Sequence, residues 1–320
     1  MQAGEGEDAL AQLQLAMHLL DSSQPSFDLQ RGIAAVEAAS AAGVGAATEI
    51  IATFEAMGVA RPQNWERALD SLQLAAEQGS VTARRAIMVL AEDSYEDDPG
   101  SRDWGELRGS VDISAKLAGP ERRSLCDSPR IRAIEGFASA AECRWVIARA
   151  RDRLAPAMIA DGSGGSLRDP GRSNRSTEFL VPDMDVILEV LRARISAVTR
   201  LPLPVFETTQ VLHYSVGQAF APHFDYFDPA NAQHAQRLQT HGQRIATFLI
   251  YLNEDFEGGE TDFPNTAVRY RGRLGDAVFW ANVDLQSQPD PRTLHAGLPP
   301  TQGEKWVLSQ WIRDRAPAAV

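Results

Sequence analysis

A chain of 320 residues that is 44% hydrophobic has enough apolar content for one large globular domain or two smaller ones. Its formal net charge of −12, from 31 Lys+Arg against 43 Asp+Glu, is unevenly spread: residues 1–100 hold 16 acidic and 5 basic residues, which leaves 27 and 26 for 101–320. An acidic first third argues against nucleic acid as a partner, because phosphate binding needs a basic surface; a basic protein partner stays open.

The opening Met-Gln-Ala-Gly-Glu-Gly-Glu-Asp lacks the basic and apolar regions of a signal peptide. No apolar run approaches the roughly 18 residues that a bilayer-spanning helix needs, so no membrane partner is expected. Cys126 and Cys143 make neither a disulfide framework nor a four-ligand zinc site. The expected compartment is a reducing cytoplasm. Basic residues are 29 Arg and only two Lys, Lys116 and Lys305, so each lysine draws notice.

From Ala9 to about Ala91 the chain is Ala-rich and reads as helices. Ala38-Ala39-Ser40-Ala41-Ala42-Gly43 is echoed by Ala75-Ala76-Glu77-Gln78-Gly79, a spacing within the period of two-helix solenoid repeats. Alanine lets helices approach closely, and a left-handed glycine ends every second one. The segment Asn64–Leu72 supplies an amphipathic helix. This stretch resembles Sel1-like repeats, relatives of the tetratricopeptide repeats, in about two degenerate copies; an ordinary Ala-rich bundle is the competing reading. Such a helical array works by contact with another protein or with its own catalytic domain. Glu92–Gly100 is acidic and closes on Pro99-Gly100, which marks a boundary. The expected domains are therefore a helical-repeat domain over 1–98, a connector over 99–128 with one helix through Trp104, Leu107, Val111 and Ile113, and a second domain over 129–320.

In that second domain Arg130–Phe137 suits a strand, and Ser139 with Glu142 is a capping box opening a helix. Asp161–Ser176, rich in Gly, Ser and Arg, reads as a mobile loop. Asp183 opens a helix with Ile187, Val190, Leu191, Ile195 and Val198 at helical spacing, ended by Arg200-Leu201-Pro202. Short apolar runs follow at Thr208–Val216, Arg244–Asn253, Arg269–Arg271, Asp276–Ala281 and Trp306–Arg313. Strands in this number, preceded by helices, predict a sandwich or barrel with helices on one side.

Within the strand region stands Pro222-His223-Phe224-Asp225. On a strand, residues two apart share a face, so the imidazole and the carboxylate point the same way. His295 lies far downstream in Leu294-His295-Ala296-Gly297, and Lys305 ten residues later. Two histidines and one carboxylate can hold ferrous iron on one octahedral face and leave three positions open. A 2-oxo acid would fill two of those, O2 the third, and Lys305 would meet the distal carboxylate of the co-substrate.

With these residues on view, the stretch from Pro129 to Arg315 resembles the Fe(II)/2-oxoglutarate-dependent dioxygenases, and among them the prolyl 4-hydroxylase-like catalytic domain. Tyr214-x-x-Gly217-Gln218, Pro222-His223-x-Asp225, Arg244-x-x-Thr247, Tyr251-Leu252-Asn253, Gly258-Gly259-Glu260-Thr261-x-Phe263-Pro264, Gly275-Asp276-Ala277, and Leu294-His295-Ala296-Gly297 through Lys305-Trp306 carry the likeness. The resemblance implies an α+β protein whose catalytic domain is a double-stranded β-helix, or jelly roll, with packing helices. It implies His223, Asp225 and His295 as iron ligands and Lys305, Tyr214, Thr261 and Trp311 around 2-oxoglutarate. Arg244 and Phe220 fall at positions near the substrate, with ascorbate as a reductant. Phe220 departs from the family, where tyrosine often stands.

The expected activity is hydroxylation of proline in a peptide or protein, with O2 and 2-oxoglutarate converted to product, succinate and CO2. Loops 161–176 and 228–242 would close over the substrate, and the acidic repeats would dock it. A hydroxylase of a free amino acid or other small molecule is the alternative, and a repeat-based adaptor with an inactive oxygenase domain the more distant one. His213 reads as structural or surface; His18, His234 and His241 have no partners in sequence that make them ligands. The Gly-Gly pair at 258–259 reads as a tight turn before Thr261, not a phosphate loop.

Overall fold

A computed structural model of the chain describes residues 2–21, 24–92, 102–160, 166–167 and 170–316. Two compact units emerge, residues 1–118 with 179–194 and residues 119–178 with 195–320. The acidic boundary read at Glu92–Gly100 lies almost wholly outside the described residues.

The first unit is helical. It contains α1 (Gln2–Leu20), α2 (Leu29–Ala41), α3 (Gly45–Met57), α4 (Trp65–Glu77), α5 (Val81–Leu90), α6 (Trp104–Ser110) and α7 (Ile113–Leu117). Five of these starts have a local cause in a capping side chain. Asp28, Asn64, Ser80, Asp103 and Asp112 accept a hydrogen bond from the backbone N–H three residues on, which satisfies a donor that the first turn would otherwise leave unpaired. Gly43 and Gly79, just past α2 and α4, have φ of 86° and 93°, the left-handed stop expected of them. Alanine packs the helices close: Ala39, Ala47, Ala52, Ala68, Ala75 and Ala83 are fully buried. At Gly45 a Cβ would lie 2.9 Å from the Ala75 carbonyl oxygen, so α3 can start there only on a glycine. The connector differs from expectation. It carries two short helices where one was expected, because Val111 is extended and Asp112 opens a new cap.

The second unit adds α8 (Ala140–Arg151), which starts on the expected Ser139–Glu142 capping box. The next helix in the chain, α9 (Val186–Thr199), belongs to the first unit as far as Arg194 and begins later than expected: Asp185, not Asp183, caps it by accepting from Leu188 N–H at 2.8 Å. It ends at Arg200, whose φ is 61°. A further helix, α10 (Ala232–His241), occupies what the sequence presents as a polar loop.

Strands are β1 (Arg123–Cys126), β2 (Ile131–Ile134), β3 (Ala155–Pro156), β4 (Ile159–Ala160), β5 (Ser166–Leu167), β6 (Arg175–Phe179), β7 (Thr209–Tyr214) and β8 (Phe220–His223). They continue as β9 (Arg244–Tyr251), β10 (Phe256–Gly258), β11 (Thr261–Phe263), β12 (Val268–Tyr270), β13 (Ala277–Ala281), β14 (His295–Gly297), β15 (Pro300–Gly303) and β16 (Lys305–Arg313). The expected loop before Pro129 holds β1, paired antiparallel to β2. Ser166–Leu167 and Arg175–Ser176 of the expected mobile loop are in strands, while residues 161–165 and 168–169 lie outside the described residues.

An eight-stranded sheet runs β1-β2-β13-β9-β16-β7-β6-β3, and a four-stranded sheet runs β12-β11-β14-β8. In the large sheet β1-β2, β2-β13, β13-β9, β9-β16, β16-β7 and β6-β3 pair antiparallel, as do β12-β11, β11-β14 and β14-β8 in the small one. Apolar residues of the larger sheet (Ile131, Tyr251, Val278, Trp280, Val307) pack against Phe263 and Tyr270 of the smaller one, so the core lies between the sheets. Ile245–Leu252, apolar nearly throughout, is central in the large sheet, as a strand covered on both faces should be.

Candidate active site

Strand pairing brings distant residues together. Across β14 and β8, His295 stands opposite His223. Their rings lie 4.3 Å apart. β8 ends at His223, but Asp225, two residues on, keeps the same side. His223 Nε2 is 3.7 Å from Asp225 Oδ1, and His295 Nε2 is 3.4 Å from Asp225 Oδ2. One ligand atom from each residue falls within 4.8 Å of the others. The chain thus assembles the three residues that the sequence singled out.

The donor chemistry suits a divalent cation. Each imidazole spends its Nδ1–H on a backbone carbonyl, His223 on Ala221 at 2.8 Å and His295 on Thr293 at 3.0 Å. That tautomer leaves both Nε2 lone pairs free toward Asp225. Burial, helped by His295 beside it, pushes the His223 pKa down to about 3, so the ring is neutral at ordinary pH. Burial works to raise the Asp225 pKa, yet His295, His223 and the Thr247 hydroxyl outweigh it and hold the carboxyl below its usual range. Two imidazole nitrogens and one carboxylate are the set that ferrous iron accepts.

Beside them lies an anion site. Lys305 opposes Tyr214 across β16 and β7 and is 2% exposed. Its ammonium sits 5.2 and 5.3 Å from the Tyr214 and Tyr251 ring centres, with no hydrogen-bond or ion-pair partner among the described residues. Burial pushes its pKa down to about 7, with Glu260 acting the other way. A buried cation with no counter-charge is costly, and an incoming carboxylate would relieve it. Gly258 and Gly259, with φ of 68° and 67°, form the expected turn into β11. At Gly259 a Cβ would lie 3.3 Å from Lys305 Cδ, so the glycine also keeps room for the lysine stem. Thr261 follows, its hydroxyl 2.8 Å from that of Tyr251. Tyr214, buried and pushed up to about 12 by that burial, lies against Gly297, where a Cβ would come within 3.2 Å of the phenol oxygen.

His223, Asp225, His295, Lys305, Tyr214, Thr261, Trp311 and Phe220 line one cavity between the two sheets. Phe220 lies flat on His223, ring centres 3.5 Å apart and planes at 14°. Arg244 is not on that wall: its guanidinium makes a two-pronged ion pair with Glu207 at 2.6 and 2.9 Å and lies 3.6 Å over the Trp311 ring. His213, expected to be structural, is buried against Trp306 and 3.2 Å from Glu304. His18, His234 and His241 lie outside the cluster.

Three residues take roles that the sequence did not assign, although Thr247 and Tyr251 stand in the motifs quoted above. Thr247 donates to Asp225 Oδ2 at 2.6 Å, and Tyr251 donates to the Tyr270 carbonyl at 3.0 Å while touching Thr261. Both share strand parity in β9, a signal visible in Arg244–Tyr251 but without a partner to give it meaning. The third, Arg172, is buried on the cavity wall with its guanidinium 4.7 Å from the Phe220 ring centre. Nothing set it apart from the other arginines of its loop.

Residues 209–313 match the family model of the 2OG-Fe(II) oxygenase superfamily. Probable prolyl 4-hydroxylase 6 of Arabidopsis thaliana is 35% identical over 208 residues, covering 59% of this chain and 70% of that protein. Probable prolyl 4-hydroxylase 7 of the same plant is 35% identical over 236 residues, covering 68% and 73%. Among solved structures, the viral collagen prolyl hydroxylase of Paramecium Bursaria Chlorella virus-1, in its 2OG complex, is 29% identical and covers 59% of this chain and 98% of its own, with a TM-score of 0.45.

Proposed function

Since the chain belongs to the 2OG-Fe(II) oxygenase superfamily, among relatives of the prolyl 4-hydroxylases, and is a 2-oxoglutarate-dependent dioxygenase, we propose that it hydroxylates proline within a peptide or protein. The observation that carries this reading is the convergence of the His223–Asp225–His295 cluster and the unpaired Lys305 ammonium on one cavity. Its relatives bear prolyl 4-hydroxylase names, which supports proline as the target.

Iron, when bound, couples oxidative decarboxylation of 2-oxoglutarate to succinate and CO2 with transfer of an oxygen atom to a C–H bond of the substrate. The residues of this chain do the rest. His223, Asp225 and His295 would hold the metal. Lys305 neutralises the distal carboxylate of 2-oxoglutarate, Tyr214 and Thr261 line its slot, and Trp311 closes the far wall. The apolar faces of Phe220, Leu249 and Trp280 keep water scarce around the reacting centre, which strengthens each charge interaction there. Phe220 covers His223 and offers no hydroxyl to a substrate, so recognition of the target rests on shape at this point and not on a hydrogen bond. That feature also favours testing small-molecule substrates.

We further read the catalytic domain as a double-stranded β-helix, a reading supported by its two facing antiparallel sheets. We read residues 1–98 as Sel1-like repeats that dock a basic protein substrate in the cytoplasm. Support comes from the left-handed glycines after α2 and α4 and from the acidic excess of this third of the chain.

The test is incubation of the purified protein with Fe(II), 2-oxoglutarate, ascorbate and a library of proline-bearing and proline-free peptides. Succinate release and a gain of one oxygen on proline, larger for basic peptides at low salt, are expected. Equal oxidation of proline-free peptides or of free amino acids would overturn the proline assignment, and an affinity indifferent to salt would overturn the docking role.

A further inference from the structure

The carboxylate of the iron site is held by a buried hydroxyl that is itself held from behind. Asp225 is 5% exposed, and its Oδ2 accepts a hydrogen bond from Thr247 Oγ1 at 2.6 Å. Thr247, 1% exposed, in turn meets Asn282 Nδ2 at 3.0 Å. Asn282 is wholly buried just past β13, and its place is fixed by backbone hydrogen bonds, its N–H to the Ile245 carbonyl at 2.8 Å and its carbonyl from Asp290 N–H at 3.0 Å.

The direction of this chain follows from proton counting. An ionised carboxylate can only accept, so the single Thr247 proton must go to Asp225. Thr247 then has only lone pairs to offer Asn282, and the amide must present its NH2 group. The cost of that orientation is visible: Asn282 Oδ1 is buried with no hydrogen-bond partner among the described residues. Burying an unpaired amide oxygen is unfavourable, so what its NH2 group does sets the position. Asp225 Oδ1 takes no hydrogen bond from the described residues and stays open to the cavity beside His223 Nε2.

We propose that Thr247, backed by Asn282, is the positioning residue of the carboxylate ligand: it ties back one oxygen of Asp225 and leaves the other as a single-oxygen ligand. A carboxylate free to rotate could offer both oxygens and occupy a coordination position that 2-oxoglutarate or O2 requires. The inference rests on the metal-site reading above and concerns a residue of the cavity wall that is not one of the three ligands. Outer partners of this kind are worth about 10–100-fold in metal affinity.

The test uses Mn(II) alone as a redox-stable probe, titrated into the full-length protein and followed by calorimetry and by the spectroscopic signal of the bound ion. Thr247→Val keeps the shape and removes the donor; Thr247→Ser keeps the donor. Thr247→Val is expected to weaken Mn(II) binding about 10–100-fold and to change the bound-ion spectrum, with Thr247→Ser restoring both to within about threefold. Wild-type affinity and spectrum in a folded Thr247→Val protein would overturn the proposal while leaving the metal site intact. Should that variant not fold, Asn282→Ala carries the test: it leaves the Thr247 hydroxyl but frees its orientation, and binding as tight as wild type would again overturn the relay. A wild-type protein that takes up no Mn(II) or Fe(II) would overturn both the relay and the metal site on which it rests.

Discussion

Replacing Lys305 with methionine separates the charge of this residue from its bulk. The side chain is buried, meets two tyrosine rings and has no counter-ion among the described residues, and burial moves its pKa from the ordinary 10.5 to about 7. Burial on this scale holds the ammonium at a cost of roughly a few kcal/mol until a carboxylate arrives. Removing one partner of a buried charge pair costs on the order of 2–4 kcal/mol, and Lys305→Met should therefore weaken 2-oxoglutarate binding about 30–1000-fold. The same exchange should raise the stability of the ligand-free protein.

The pH dependence has a definite sign. Below pH 7 the ammonium is charged in both folded and unfolded protein, and its unfavourable burial is fully felt. Between about 7 and 10.5 the folded protein gives up the proton while the unfolded chain keeps it, so ligand-free stability rises with pH through that window. Bound 2-oxoglutarate keeps the proton in place, and its affinity should fall by up to about tenfold per pH unit above 7. Calorimetric titration of 2-oxoglutarate into the Mn(II)-loaded protein from pH 6.5 to 8.5 measures this directly. Lys305→Met should be weak and flat across the range. A flat wild-type profile, or less than threefold weakening in the variant, would refute the role argued for Lys305.

Other perturbations act on different parts of the molecule. Asp225→Ala and His223→Ala should each abolish succinate formation and 2-oxoglutarate-dependent oxygen uptake, and appreciable residual turnover would remove that residue from the metal site. Glu207, mostly buried between Arg244 and Arg313, is held below the usual carboxylate range because the two guanidiniums outweigh its burial. Glu207→Gln should cost about 2–3 kcal/mol near neutral pH in denaturant titration, less than for a fully buried pair. That difference should shrink as the pH falls below 4.5, since a depressed carboxylate gives its stability above its unfolded pKa and loses it as pH drops through the folded one. Gly275 has φ of 80°, and a Cβ there would overlap the Ala138 carbonyl oxygen. Gly275→Ala should destabilise the fold by about 2–4 kcal/mol, and a variant as stable as wild type would show that the turn relaxes.

Much of this was legible in the chain because local chemistry decides local structure. The Ser139–Glu142 capping box, the left-handed glycines after α2 and α4 and the Gly258-Gly259 turn all follow from which backbone groups need a partner and which residues tolerate positive φ. The His-x-Asp spacing drew notice to His223 and Asp225, although β8 ends at His223 and Asp225 lies just beyond it, and the scarcity of lysine drew notice to Lys305. Local signals also misled where two competed. Asp183 and Asp185 both suit a helix start, and Asp112 could cap a second helix as readily as sit within one. The polar run 231–242 carries only Ala232, Ala235 and Leu238 at helical spacing, a stripe too thin to advertise a helix, yet α10 forms there.

By itself, then, the sequence determined the ligand types, their order and the kind of anion they invite, because those are properties of side chains. Register between distant strands is not such a property. The pairing of His295 with His223 and of Lys305 with Tyr214 depends on how two sheets close over a shared apolar core. So does the hydroxyl of Thr247, which means nothing in its own strand and becomes a support for Asp225 only when β9 and the end of β8 face each other. Arg244 shows the converse. Its place in the motif suggests a hand on the substrate, but Glu207 lies close enough to claim both prongs of its guanidinium, and that choice is made only by the packing.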